Sequence, residues 1–73
     1  MAATATRSAQ AIREFTLQLF PQTRRSDVID LVISNCESFT VQALSEELFK
    51  AAVGVAPESD NSLLARLVEF LSD

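Results

Sequence analysis

A chain of 73 residues with a formal net charge of −4 has room for one small domain. Its 48% hydrophobic content is too high for intrinsic disorder, and one Gly with two Pro is too little for the many tight turns of a sandwich or barrel. His is absent, which removes the side chain that titrates near neutrality, and the single Cys allows neither an internal disulfide nor a Cys/His zinc site. The expectation is therefore a non-enzyme that holds no metal and no cofactor.

The charge is unevenly spread. Residues 1–25 carry Arg7, Arg13, Arg24 and Arg25 against Glu14 alone, a balance of +3, whereas residues 26–73 carry Lys50 and Arg66 against nine acids, a balance of −7. An acidic body is repelled by phosphate backbones, which makes nucleic acid an unfavoured partner. No stretch reaches the roughly 20 apolar residues of a membrane span, so no membrane association is expected. Residues 1–10 lack the apolar run of a secretory signal. An intracellular location, cytoplasmic or nuclear, is the expectation, and a lone thiol suits such a reducing compartment.

Residues 1–7 read as a flexible lead. A first helix is predicted over residues 8–19, where Ile12, Phe15 and Leu19 recur at helical spacing beside Ala11 and Thr16. Pro21 disfavours the α conformation at Phe20 and should end it. Residues 22–25 connect to a second segment, 26–35. Its β-branched residues could form a buried strand, but no second strand-like run exists to pair with it. As a helix it places Val28, Ile29, Val32, Ile33 and Cys36 on one face. Ser26 is then the expected N-cap, with Asp27 and Asp30 at the positive end of the dipole.

The third helix has the strongest local signals. Thr40 should cap it, with Phe39 packing on Leu44 as a hydrophobic staple. Val41, Leu44, Leu48 and Ala51 or Ala52 make the apolar stripe. Glu46 and Glu47 should face water, Glu46 pairing with Lys50 one turn on. Gly54 follows Val53 where a left-handed residue is wanted. A fourth helix is predicted from about Asp60 to the end of the chain, burying Leu63, Leu64, Leu67, Val68 and Leu71. Asp73 falls at the negative end of that helix dipole, as if residues 8–73 were the N-terminal part of a longer protein. The fold class is all-α: a compact bundle of four short helices, with a helix-turn-helix-like arrangement of the last three as a variant.

Three patterns bear on function. Arg25-Ser26-Asp27-Val28-Ile29-Asp30-Leu31, then Phe39-Thr40-Val41 and Ala43-Leu44-Ser45-Glu46-Glu47-Leu48, resembles the first two helices of winged-helix regulators. Ser62-Leu63-Leu64-Ala65-Arg66-Leu67 would be the recognition helix, and the likeness implies a helix-turn-helix nucleic-acid-binding module. Its exposed positions, however, would be Glu58, Asp60, Asn61, Arg66, Glu69 and Asp73, where base and phosphate contacts call for basic or amide groups. Second, Gln42-Ala43-Leu44-Ser45-Glu46-Glu47-Leu48 leading to Val53-Gly54-Val55-Ala56 is similar to the first helix of acyl and peptidyl carrier proteins. Asp60-Asn61-Ser62-Leu63-Leu64 is similar to their phosphopantetheine attachment site, which would make Ser62 the acceptor. Yet Asn61 separates the acid from the serine, and only ten residues follow Leu63. Third, Arg24-Arg25 forms a basic pair that reads as a solvated loop or a dock for an acidic partner.

Cys36 reads as a small buried apolar residue. If Ile12, Phe15, Leu19, Leu44, Leu48, Leu64 and Leu67 fill a small core, Phe20, Phe39, Phe49 and Phe70 cannot all be central, and Leu17 lies off the first helix's main stripe. Large apolar groups left on the surface of a small domain mark contact surfaces. The leading expectation is a protein–protein interaction domain, for docking or oligomerisation. Its candidate contact residues are Leu17, Phe20, Arg24, Arg25, Phe49 and Phe70.

Overall fold

The computed structural model describes residues 7–58, 61 and 62–72. Four α-helices follow one another: α1 (Ala9–Leu19), α2 (Ser26–Ser34), α3 (Val41–Val53) and α4 (Ser62–Ser72). A 3-10 turn at Cys36–Ser38 links α2 to α3. No strand occurs among the described residues, so the segment from residue 26 takes the helical alternative.

Local chemistry accounts for most boundaries. The Ser8 hydroxyl accepts from the Ala11 N–H at 3.2 Å and opens α1, satisfying one of the four donors that a helix start leaves over. Pro21 ends it, and Phe20 closes the last turn with its N–H on the Thr16 carbonyl at 2.9 Å. Thr40 caps α3 through the Ala43 N–H at 3.1 Å. Gly54, at φ 93°, terminates α3 in the left-handed conformation with its N–H on the Lys50 carbonyl at 2.7 Å.

Three boundary expectations need correction. Ser26 is the first residue of α2 rather than its cap; Arg25 holds the cap position with no side-chain bond. The fourth helix begins at Ser62, because the Asn61 carboxamide oxygen accepts from Leu63 N–H at 3.0 Å and Leu64 N–H at 3.3 Å. Asp60 and Asp73 lie outside the described residues. Arg7, expected in the flexible lead, is instead tied to α4, while residues 1–6 lie outside the description. On α3, Glu46 accepts a hydrogen bond from Gln42 at 2.8 Å in place of the expected Lys50 pair.

The helices pack in a ring. α2 and α4 flank α3, α1 lies on α2, and α4 closes against α1 through the sparsest of these contacts. The Cα radius of gyration is 10.9 Å, close to the roughly 11 Å expected for a compact chain of this length. Flanked on both sides, α3 buries Val41, Leu44, Ser45, Leu48, Phe49, Ala51 and Ala52, a wider face than one stripe. Ile12, Ile29, Ile33, Leu67 and Leu71 meet it from the other helices. Two hydroxyls are sealed in this core, and both bond the carbonyl one turn back: Thr16 to Ile12 and Ser45 to Val41, each at 2.8 Å. Among the described residues no buried side-chain nitrogen or oxygen lacks a partner.

Leu48 is fully buried on the most enclosed helix. Leu48→Ala should lower unfolding free energy by about 2–5 kcal/mol in urea denaturation, a large share of what so small a domain possesses. Gly54→Ala should cost roughly 1–2 kcal/mol from backbone conformation alone, since a Cβ there would meet only Arg25 side-chain atoms at ordinary contact distance. Thr16→Val should stay within about 1 kcal/mol of the parent, because its hydroxyl bond supplements an acceptor already used by the helix.

Candidate functional site

The six residues expected to contact a partner fall into different environments. Phe20 and Phe49 are buried, at 8% and 4% exposure, and meet edge-to-face with centroids 5.6 Å apart. Their expected surface role is overturned. Phe20 leaves the helical conformation at the C-cap of α1, before Pro21, and meets Phe49, which belongs to the face that α3 buries between two neighbours. Leu17 and Phe70 are half-buried and border the core.

Arg24 and Arg25 part company. Both are exposed, but the Arg25 Nε donates to the Ala51 carbonyl at 2.7 Å. The Thr23 hydroxyl donates to the Ala52 carbonyl at 2.8 Å while accepting from the Arg25 N–H at 3.2 Å. The α1–α2 loop thus covers carbonyls that the C-terminus of α3 leaves over. Arg25 is a structural strut, and Arg24 extends from the same loop without a hydrogen bond or ion pair among the described residues. A surface ion pair, Arg13 Nε to Asp30 Oδ1 at 2.6 Å, joins α1 to α2; both side chains are about half exposed, which limits it to about 1 kcal/mol or less.

The most developed surface feature lies where α1 meets α4. The Phe15 and Phe70 rings stack in parallel, 4.0 Å between centroids and 3° between planes. The Arg7 guanidinium sits 4.2 Å from the Phe70 centroid, and its Nε donates to the Phe70 carbonyl at 2.8 Å. Two groups so near one centroid must occupy opposite faces, so Phe70 is sandwiched between a cation and an aromatic ring, both favourable contacts.

Beside this stack is an open hollow of about 540 Å³ lined by Arg7, Phe15, Arg66, Glu69, Phe70 and Ser72. A second hollow, about 240 Å³, is lined by Phe15, Gln18, Leu19 and Arg66. They share Phe15 and Arg66, and together form a groove along the α1–α4 seam. Of the expected contact residues only Phe70 belongs to it. Phe15, Arg66 and Gln18 were missed: Phe15 reads as core by spacing, and a lone Arg66 on a helix with one acid gives no signal. Leu31, Val53 and Val55 are the large hydrophobics most exposed to solvent, at 66%, 45% and 61%; none was among the expected contacts.

No group of three or more His, Cys, Asp or Glu residues able to hold a metal ion occurs among the described residues, and no helix among them is long and apolar enough to cross a membrane. Cys36 is half-buried at the start of the 3-10 turn, and Ser62 opens α4.

The loop strut predicts an asymmetry between adjacent arginines. Arg25→Met and Thr23→Val should each reduce stability by about 0.5–1.5 kcal/mol in chemical denaturation, whereas Arg24→Met should leave the midpoint unchanged. Equal effects at positions 24 and 25 would contradict the strut. In comparisons with known proteins, the chain matches no family model, no curated protein and no solved structure.

Proposed function

We propose that this chain is a non-catalytic docking domain that receives a protein partner in the α1–α4 groove. The observation that carries the reading is the stacked Phe15–Phe70 pair at an open seam. By contrast Phe20 and Phe49 are folded into the core. Here two rings wall a surface hollow whose volume lies in the range of ligand-holding clefts. A groove between two helices suits an amphipathic helix, and aromatic and arginine side chains are the residue types that most often dominate interface energetics. The sequence contains no His, the side chain whose ordinary pKa lies near neutrality.

The exposed positions of α4 (Ser62, Ala65, Arg66, Glu69 and Ser72) offer one cation and one acid, a poor match to a phosphate backbone. This favours a protein partner over nucleic acid.

A photo-crosslinking amino acid replacing Gln18 should trap a discrete adduct in extract of the source cells, lost when Arg66 is also changed to Glu. The same probe replacing Glu46 should not trap it. Adducts that are identical from both positions, or absent from both, would sink the reading. So would a strong gel shift of arbitrary duplex DNA at moderate salt.

A further inference from the structure

We infer that the occupant of the groove is an acidic amphipathic segment, with a carboxylate and a large apolar residue one helical turn apart; the inference rests on the docking reading above. Its basis is the contrast between the groove and the rest of the chain. The protein carries a net charge of −4, yet among the described residues the two hollows share a cation, Arg66, and one acid, Glu69, lines only the first of them. Arg66 is exposed and forms no ion pair among the described residues, unlike Arg13, which is held by Asp30. Arg66 lines both hollows together with Phe15. A carboxylate reaching Arg66 there gains a charge-assisted contact in a partly desolvated setting.

The spacing follows from α4. Arg66 and Phe70 are four residues apart, hence neighbours on one helix face. A complementary helix presents an acid to the first and an apolar side chain beside the second, at positions three or four apart. The apolar anchor packs against Phe15 and Leu19, both half-buried and both lining the groove. A basic segment would meet the arginines, and a nucleobase would find both faces of Phe70 already covered.

The test uses three fluorescently labelled helical peptides of about 15 residues, long enough to hold some helix. One carries Phe and Glu at (i, i+4) repeats, one has Lys in place of Glu, and one has Ser in place of Phe. Titrated with the full chain and followed by anisotropy, the Phe/Glu peptide should bind on the order of tenfold tighter than either of the others. R66E should weaken it by a similar factor and bring the Lys peptide level with it or ahead. Since Arg66 is exposed, far-UV circular dichroism should show R66E folded like the parent. Equal or tighter binding of the Lys peptide, indifference to R66E, or no binding of any peptide at millimolar concentration would each overturn the inference. The two readings fail separately. A Lys peptide crosslinked at position 18 leaves docking intact and removes only the acidic partner, while a position-18 probe silent in extract removes docking itself.

Discussion

The last carbonyls of an α-helix have no partners within the helix, and much of this domain is arranged around supplying them. The C-terminal turn of α3 is met by Gly54 from its own chain and by Thr23 and Arg25 from a loop nearly thirty residues earlier. The C-terminal turn of α4 receives Arg7 from across the whole domain. Arg25 and Arg7 are cations at the negative ends of helix dipoles, where they are favoured. Because each bond joins distant parts of the chain, each also sets a tertiary relation. One seats the α1–α2 loop on the end of α3, and the other draws Arg7, two residues before α1, onto α4. The stacked phenylalanines and their groove exist where they do because the second bond holds that seam.

The open seam lies away from the helix on which burial is concentrated. The central helix, α3, has neighbours on two sides and takes up the largest aliphatic and aromatic groups, including the Phe20–Phe49 pair. Small buried residues on the same helix, Ser45, Ala51 and Ala52, let its neighbours approach. The α1–α4 pair shares less of this core, so Phe15, Leu19 and Phe70 stay half-covered. Rings that are held rigidly yet partly accessible give a partner contact area at little entropic cost.

Features decided by a residue's own chemistry were readable in the sequence. Pro21 stops α1, Ser8 and Thr40 cap, and Gly54 takes a positive φ, each for reasons contained within a few residues. The all-α class followed from periodicity, and α2 fell on the helical side because it has no strand to pair with. What escaped the sequence depends on which elements touch. The width of the buried face of α3 is set by its having two neighbours, so Phe49 was misplaced on the surface and Phe20 with it. Arg25 read as a loop cation because its acceptor, Ala51, lies 26 positions away. The groove was illegible for the same reason: Phe15 and Arg66 have unremarkable local contexts and acquire meaning only when α1 and α4 come together.

The Arg7–Phe70 bond has a topological corollary. Since its partners stand 63 positions apart yet within hydrogen-bonding distance, the polypeptide enters and leaves the bundle at one corner. A module with such adjacent portals can be spliced into an exposed turn of a host protein without prising the host apart, or rejoined end to end and reopened elsewhere.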